Sequence, residues 1–362
     1  MRTATVELLI LLHQILLWKV FGTSVGGANA THLIECGFTG GPEAPILIAT
    51  RTFHPFHMAV LPRKVDRAVS RELEEGGMFD AQVLGPMQFI LQTHPCDATS
   101  LVVDAGANVG FFGFFALSMH CPVVFFEPQT KAGAAINSSL CINKHFRRHA
   151  DFFNMPISTS PTVSFPVSFK EVDNTGSIGI AMCDKLPPQD CETRRTVQLD
   201  GIFTSLPRQH TGRATRVRVL KLDTEGFESD VLLSGEKLLS RRLVDNILVE
   251  VTPHTRGVNA TMHMLKSLVR HGYSFAQSPF YSWRTLLNAS HPYTRPVIPL
   301  GKNLTVLQGI VDYCMDQLKV PKWKGIVQTD LWAALDETQF QNYNALVEIE
   351  KSLGAARLAH RL

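Results

Sequence analysis

The stretch Asp104-Ala-Gly-Ala-Asn-Val-Gly110 follows the apolar run Leu101-Val-Val103 and precedes a helix predicted over residues 110–119. A strand, a glycine-rich turn and a helix in this order present backbone N–H groups and a helix N-terminus to a ligand. Because glycine has no Cβ, we expect the main chain at Gly106 to lie against that ligand, so that a side chain there would collide with it. The stretch therefore predicts an α/β fold with a site for an adenosine-containing cofactor.

An acidic residue follows where a ribose would be held. The next apolar run, 123–126, ends at Glu127, and a carboxylate about 20 residues beyond the glycine turn accepts hydrogen bonds from ribose hydroxyls. The charge of Asp104 suits the ammonium group of a methionine tail and would repel a pyrophosphate, while Asn108 replaces the middle glycine of dinucleotide sites. Both features favour S-adenosylmethionine. The expected cofactor-binding residues are Asp104, Gly106, Asn108, Gly110, Glu127 and Asn154.

Strands and helices are predicted to alternate through the middle of the chain. The expected strands lie near 101–104, 122–127, 150–154, 217–223 and 246–251, and the expected helices near 110–119, 130–145, 227–240 and 259–271. This alternation predicts a mostly parallel sheet with helices on both faces, in which ligands bind at the carboxyl ends of the strands. We therefore expect the polar residues at these strand ends to converge on one edge, namely Asp104, Glu127, Asn154, Asp223 and Glu250.

A second cluster of charged residues, Lys221-Leu-Asp223-Thr-Glu225-Gly-Phe-Glu228, spans a predicted strand end. Lys221 and Asp223 are two residues apart, so their side chains point to the same face of the strand. A carboxylate buried at a strand end is costly without a partner or a task, which favours a functional role for Asp223. Glu228 is expected near the start of the next helix, where a negative charge is favourable, and its predicted role is helix capping.

These motifs, taken together, resemble the successive motifs of the FkbM family of S-adenosylmethionine-dependent methyltransferases. The resemblance covers about residues 66–275 and rests on Asp104–Gly110, Phe126-Glu-Pro128, Lys221–Glu228, Leu248-Val-Glu250 and an upstream segment, Asp66–Leu73 followed by Gly76–Asp80. It implies the class I methyltransferase (Rossmann-like) fold. It also implies methyl transfer from S-adenosylmethionine, in many members to a hydroxyl of a sugar or natural product.

Methyl transfer to a hydroxyl requires alignment of acceptor, methyl group and sulfur, and a group that accepts the hydroxyl proton. Asp223 is the first candidate for the proton acceptor, and Glu225 and Glu250 are the second candidates. The same carboxylates could instead hold a divalent metal ion that activates the hydroxyl. The sequence leaves these two mechanisms open, and no motif identifies the acceptor.

The N-terminus is typical of an exported protein. Arg2 precedes an apolar stretch, 6–21, and Ala28-Asn-Ala30 has the small-residue pattern of a signal-peptide cleavage site. An uncleaved signal anchor and a buried N-terminal helix are the alternatives. Five Asn-x-Ser/Thr sequons also favour the secretory pathway: Asn29, Asn137, Asn259, Asn288 and Asn303. We expect a protein of the secretory lumen or a secreted one, with a membrane contact only through an uncleaved anchor.

The seven cysteines contain no Cys-x-x-Cys pair, which disfavours a zinc site or a thioredoxin-like redox pair. In an oxidising lumen some of them should form disulfides, and their odd number leaves at least one free. Cys183 and Cys191 lie eight residues apart in a proline-rich loop, and Cys96 and Cys121 each precede a predicted strand. Disulfides Cys183–Cys191 and Cys96–Cys121 are therefore candidates, with buried free thiols as the alternative for each pair.

The expected organisation is a signal peptide or anchor (1–30), an irregular segment (31–65), a methyltransferase domain (66–300) and a partly helical C-terminal extension (301–362). With a net charge of +3 and no basic run, nucleic acid is not an expected partner. The expected substrate is a small molecule or glycan, and no motif specifies an oligomeric state. The competing functions are a catalytically silent lumenal binding protein and a nicotinamide oxidoreductase. The oxidoreductase is disfavoured because no Tyr is followed four residues later by Lys.

Overall fold

The computed structural model of the chain describes residues 35–38, 44–166, 183, 187, 190–278, 296–317 and 329–359. The predicted signal segment, 1–30, and the sequons at Asn29 and Asn288 lie outside the described residues.

The middle of the chain alternates between strands and helices, as the sequence predicts. These elements are β3 (Ser100–Ala105), α3 (Phe111–Ser118), β4 (Val123–Phe126), α4 (Thr130–Ile142), α5 (Lys144–Arg147), β5 (Ala150–Phe153), β8 (Arg216–Leu222), α6 (Glu228–Ser234), α7 (Glu236–Ser240), β9 (Val244–Val251), α8 (Pro253–Arg256) and α9 (Val258–Arg270). The five predicted strands and the four predicted helical regions are all confirmed, with boundaries that differ by a few residues.

Further elements precede, interrupt and follow this alternation. They are β1 (Ile46–Ala49), β2 (His57–Val60), α1 (Val69–Gly76), α2 (Ala81–Thr93), the hairpin strands β6 (Thr162–Pro166) and β7 (Cys191–Arg195), a 3₁₀ helix (Leu199–Phe203), β10 (Ser274–Ser278), β11 (Ile298–Gly301), α10 (Leu304–Gln317), β12 (Thr329–Ala334) and α11 (Thr338–Ala359). The apolar run Ile46-Leu-Ile48 lies in β1, and the alternating apolar and polar residues that start at Thr162 form β6.

The central sheet has eight strands in the order β11-β10-β12-β9-β8-β3-β4-β5. Neighbouring strands from β9 through β8, β3 and β4 to β5 pair in parallel, whereas β12 is antiparallel to both β9 and β10. The chain runs from β3 to β4 on one side and returns to β8 on the other. The strand order therefore reverses between β3 and β8, the position at which such sheets bind ligands. The predicted class I methyltransferase fold class is confirmed.

Hydrophobic clusters cover both faces of this sheet. Residues alternate between the clusters along β3, where Val102 packs on one side and Leu101 and Val103 on the other. One cluster contains the phenylalanines of α3, together with α2 and α11, and the other contains α6, α7, α9 and α10. Because β3 is buried on both faces, its carboxyl end holds the glycine turn in a rigid position.

The C-terminal part of the chain completes the sheet. Strand Thr329–Ala334 lies within the predicted extension 301–362, yet it pairs with β9 on one side and β10 on the other. The domain boundary predicted at residue 300 would therefore separate strands that belong to the same sheet. No local pattern predicted this strand, because both of its partner strands lie more than 50 positions away in the chain and its short apolar run has no helix or strand period of its own.

Disulfides connect several of these elements. The two candidate pairs, Cys96–Cys121 and Cys183–Cys191, are confirmed, and Cys314 is free and buried. A third disulfide, Cys36–Cys141, closes a loop of 105 residues between the N-terminal segment and α4, and the sequence did not suggest it. No helix in the described part of the chain is long and apolar enough to span a membrane.

Candidate functional site

The glycine turn at the end of β3 is held by the neighbouring strand. The N–H groups of Gly106 and Ala107 both donate to the carbonyl oxygen of Phe126 at the end of β4. Gly106 has φ +74° and Asn108 has φ +50°, so the chain reverses through left-handed conformations before α3 begins. These hydrogen bonds and dihedral angles define the shape of the turn, and Asn108 lines the cavity described below.

Glu127 joins this turn to the end of β4. Its Oε2 accepts a hydrogen bond from the N–H of Asn108 at 2.7 Å, and its Oε1 accepts one from the N–H of Gln129 at 2.8 Å. The residue is 3% exposed, and burial raises the pKa of its carboxyl to about 7 although both N–H groups lower it. Each oxygen keeps a lone pair for a second donor, as the binding of two ribose hydroxyls requires.

A cavity of about 180 Å³ opens between the glycine turn and the ends of β8 and β9. Its wall includes six of the nine site residues expected from the sequence: Gly106, Asn108, Glu127, Asp223, Glu225 and Glu250. Aromatic and aliphatic side chains complete the wall, among them Phe79, Phe112 and Phe227. The cavity thus connects the expected cofactor residues with the expected catalytic carboxylates.

The remaining three expected residues lie outside this wall. Asp104 is fully buried behind the turn, where its Oδ2 accepts from the N–H of Gly113 at 2.9 Å. Asn154 donates to the Glu127 carbonyl at 2.6 Å and so joins the ends of β4 and β5. Gly110 has φ +89° and starts α3. These three residues support the turn and the strand ends, and they do not line the cavity.

The structure gives a different reason for glycine at position 106 from the collision with a ligand that the sequence predicted. A Cβ on Gly106 would overlap the carbonyl oxygen of Asp223 and lie 2.7 Å from its carbonyl carbon. The side chain would therefore collide with the end of β8 and not primarily with a cofactor. The glycine is required because the main chains of the β3 and β8 ends are in contact.

The ammonium group of Lys221 links the glycine turn to the end of β8, which carries Asp223. Its Nζ donates to the carbonyl oxygen of Gly106 at 2.8 Å and lies 3.2 Å from Asp223 Oδ2 and 3.7 Å from Asp104 Oδ1. Burial opposes its charge, yet the two carboxylates raise the pKa of its ammonium group above the usual value. The sequence placed Lys221 and Asp223 on one face but assigned Lys221 no role; the structure shows that it holds both carboxylates and the turn.

The predicted catalytic carboxylates converge at one end of the cavity. Asp223, Glu225 and Glu250 each offer an oxygen, and these three oxygens lie within 4.8 Å of one another. The backbone of Glu225 itself is in a left-handed conformation, with φ +53°. Burial and the nearby Asp223 raise the pKa of Glu225 to about 9 and that of Glu250 well above its usual value. The arrangement can accept a proton or bind a cation.

Two further carboxylates border this group, and sequence reasoning gave neither a role. Asp80 lines the cavity, and its Oδ1 has no hydrogen-bond partner in the described structure. Asp330 on β12 lies directly opposite Glu250 in the antiparallel pair and accepts a hydrogen bond from Gln82 at 2.7 Å. Burial, with Asp330 and Asp223 nearby, raises the pKa of Asp80 well above normal. Asp80 lies in the upstream segment that resembles the family, and this resemblance was the one feature of the sequence that could have indicated a role for it.

Glu228 lies in the first turn of α6, as the sequence predicted, and its carboxylate binds the turn that precedes this helix. Its Oε1 accepts hydrogen bonds from the N–H groups of Thr224 and Gly226, at 2.8 and 3.1 Å, and from the Thr224 hydroxyl. It is buried and lies outside the cavity wall. Its task is to hold the turn that carries Glu225.

The residues present fit S-adenosylmethionine. The buried Oδ1 of Asn108 has no partner in the described structure and borders the cavity beside Glu127, so the site offers unsatisfied acceptors to a donor-rich ligand. Lys221 is the only cation among the described residues of the wall, and its charge is already balanced by Asp223 and Asp104. A cationic methyl donor suits this balance, whereas a pyrophosphate finds no free cation among the wall residues.

Comparison with known proteins gives one family. Residues 104–275 match the family described as Methyltransferase FkbM domain. Among solved structures, the chain is similar to precorrin-6y C5,15-methyltransferase from Geobacter metallireducens GS-15, with 11% identity, a TM-score of 0.29 and coverage of 70% of this chain and 87% of that chain. A similarity this weak carries no argument here. No curated protein matches the chain significantly.

Proposed function

We propose that this chain, whose residues 104–275 match the Methyltransferase FkbM domain, is an O-methyltransferase that uses S-adenosylmethionine to methylate a hydroxyl of a glycan or small molecule. One observation supports this proposal most strongly. A single cavity joins the glycine turn and Glu127 at one end to Asp223, Glu225 and Glu250 at the other. Cofactor residues and proton acceptors therefore face one space.

The cofactor residues have separate tasks in this proposal. Glu127 accepts hydrogen bonds from the ribose hydroxyls, and the Oδ1 of Asn108 accepts from another donor of the cofactor. The Gly106 region keeps the ends of β3 and β8 together, so the cofactor site and the carboxylates hold a constant separation. When bound, S-adenosylmethionine supplies an electrophilic methyl group on a sulfonium.

Asp223 is proposed to accept the proton of the acceptor hydroxyl. As the new oxygen–carbon bond forms, the carbon–sulfur bond breaks with its electron pair on sulfur, and the hydroxyl proton moves to the carboxylate. Lys221 stands 3.2 Å from Asp223 Oδ2 and fixes the orientation of this carboxylate. Carboxylates at this end of the cavity favour an oxygen acceptor, because a weakly nucleophilic hydroxyl needs deprotonation during transfer.

The proposed location is the lumen of the secretory pathway. This rests on the signal-like N-terminus, on the sequons and on the three disulfides, since disulfides persist in oxidising compartments. The sequon residues Asn137, Asn259 and Asn303 are exposed on the described surface, which suits a glycoprotein. A lumenal enzyme of this kind requires import of its cofactor from the cytosol.

Two measurements on the purified protein test the proposal. Calorimetry should show binding of S-adenosylhomocysteine and no binding of NAD. Methyl-labelled S-adenosylmethionine should then transfer label to at least one member of a panel of glycans, lipids and peptides, in a form that resists mild base as an ether does. Binding without transfer to any acceptor class would favour the silent binding protein, and NAD binding alone would contradict the cofactor assignment.

A further inference from the structure

The carboxylates at the acceptor end of the cavity are more numerous than one proton transfer requires. Asp223, Glu225 and Glu250 bring oxygens within 4.8 Å of one another, and Asp80 lines the same wall. Carboxylates at such distances repel one another unless protons or cations are present. Lys221 already serves Asp223 and Asp104, so it does not neutralise the other acidic groups.

An unsatisfied oxygen lies within this group. Glu250 is 7% exposed, and its Oε2 is buried with no hydrogen-bond partner in the described structure. Buried polar atoms are rarely without a partner, and this oxygen is available to a hydrogen-bond donor or a cation. Asp80 Oδ1 on the same wall is also without a partner in the described residues. Glu250 and Asp80 both line the cavity.

We propose that Asp223, Glu225 and Glu250 bind one divalent cation of the Mg²⁺, Mn²⁺ or Ca²⁺ type beside the acceptor site. Oxygen ligands supplied only by carboxylates suit these hard cations. Two oxygens on one ion lie no further apart than twice the metal–oxygen distance, about 4.2 Å for Mg²⁺ and about 4.6–5.2 Å for Ca²⁺. The observed limit of 4.8 Å therefore requires at most small side-chain shifts.

The role of the ion deepens the proposed function and rests on it. An ion at this position would bind the acceptor hydroxyl through oxygen, hold it towards the methyl group and lower its pKa. Diols such as those of sugars offer two oxygens to an ion, so a vicinal diol is the acceptor class that this site fits best. The oxygen–carbon bond would form and the carbon–sulfur bond would break as given above, and the hydroxyl proton would move to the carboxylate oxygen of Asp223 that does not bind the ion, since each residue contributes one oxygen to the site. Binding of the ion itself is tested without any acceptor.

The test uses Mn²⁺ as the probe and the full chain as the protein. Electron paramagnetic resonance of free Mn²⁺ is recorded during titration, first without and then with S-adenosylhomocysteine, which lacks the positive sulfonium. The variants are Glu250→Gln and Glu225→Gln, which each remove one ligand. Asp330→Asn is the matched control, because Asp330 is a buried carboxylate opposite Glu250 that lies outside the three-ligand group and the cavity wall.

The expected result is one Mn²⁺ per chain, displaced by Mg²⁺ or Ca²⁺, with affinity at least tenfold weaker in both ligand variants and less than threefold weaker in Asp330→Asn. Absence of stoichiometric binding in the wild type would overturn the site. Equal losses in Asp330→Asn and Glu250→Gln would also overturn it, because they would indicate general charge attraction. If Glu250→Gln does not fold, Glu225→Gln decides, since Glu225 is only half-buried in a turn.

The outcome also separates this inference from the proposed function. Normal S-adenosylhomocysteine binding and methyl transfer in EDTA, with no Mn²⁺ binding, would remove the ion and leave the methyltransferase. Stoichiometric Mn²⁺ binding with no S-adenosylhomocysteine binding would leave the cation site and remove the proposed function.

Discussion

The main chain of Gly106 lies so close to Asp223 that any Cβ at position 106 would overlap the Asp223 carbonyl oxygen. Lys221 strengthens this contact, since its Nζ donates to the Gly106 carbonyl and approaches the Asp223 carboxylate. The cofactor turn and the candidate catalytic residue are therefore parts of one rigid contact between β3 and β8. A change at either residue should affect the other.

Gly106→Ala should lose cofactor binding and stability together. The new methyl group would displace the Asp223 segment, and φ +74° is unfavourable for alanine. The control is Gly309→Ala, because Gly309 lies in α10 with nothing within 4 Å of an added Cβ. The control should be stabilised by about 0.5–1 kcal/mol. Thermal unfolding measures the stability of each variant, and calorimetry with S-adenosylhomocysteine measures its cofactor binding. Unchanged binding in Gly106→Ala would contradict the contact.

Cofactor affinity should increase with pH through about 7 because of Glu127. Burial raises the pKa of this carboxyl from 4.5 to about 7, so the contribution of the group to folding stability is full below about 4.5 and is lost as the pH rises through 7. Ribose hydroxyls donate to the ionised form. At pH 6 only about one tenth of the molecules carry that form, so binding should be about tenfold weaker than at pH 8.

The matched variant for this pH effect is Glu127→Gln, which should bind more weakly at pH 8 and show no such dependence between pH 6 and 8. Glu127→Ala should weaken binding by about 1–3 kcal/mol. Calorimetry with S-adenosylhomocysteine at pH 6, 7 and 8 measures the dependence. An identical pH profile in the wild type and Glu127→Gln would show that another group is responsible.

Lys221→Met should be strongly destabilising. It removes the ammonium group that two carboxylates share and leaves Asp104 fully buried without a counter-charge, a loss of about 3–5 kcal/mol. A second change, Asp104→Asn, should restore part of the lost stability because it removes the unpaired charge. Lys237→Met at an exposed helix position is the control and should stay within about 0.5 kcal/mol of the wild type. Denaturant unfolding measures each step.

Asp223→Asn should retain cofactor binding and reduce methyl transfer by roughly 100- to 10,000-fold, the range for a lost general base. Glu228→Gln provides the contrast. Glu228 accepts three hydrogen bonds in the turn and lies outside the cavity wall, so its change should cost about 1–3 kcal/mol of stability with a smaller effect on rate. Turnover is measured on the acceptor found by labelling. An Asp223→Asn enzyme as active as the wild type would shift the base to Glu225 or Glu250.

The oxidised protein should contain one free thiol. Three disulfides use six of the seven cysteines and leave Cys314, which is buried and whose pKa burial raises. A thiol reagent should therefore label one position, and only after denaturation, whereas reduction should expose seven. Peptide mapping should find Cys36 linked to Cys141. Labelling of several thiols in the native, unreduced protein would contradict the oxidised state.

Much of the fold could be predicted from local patterns. Apolar runs that end in acidic residues predicted β3, β4, β8 and β9, and the order of those runs predicted the parallel sheet, because each strand–helix unit is a local feature. The pairs Cys96–Cys121 and Cys183–Cys191 followed from the same expectation about strand starts and loop length. By contrast, Cys36–Cys141 and the insertion of β12 join segments far apart in the chain, and no local period indicates such pairs.

Local sequence patterns were sufficient to predict that a glycine turn, Glu127 and Asp223 lie at neighbouring strand ends, because the parallel α/β arrangement brings those ends to one edge. Which of these residues line the cavity depends on the folded chain. The tertiary structure buried Asp104 behind the turn, set Gly106 against Asp223 and placed Lys221 between two carboxylates. It also placed Asp330 opposite Glu250. The physical reason is that burial, close backbone contact and charge compensation depend on segments that meet only after folding.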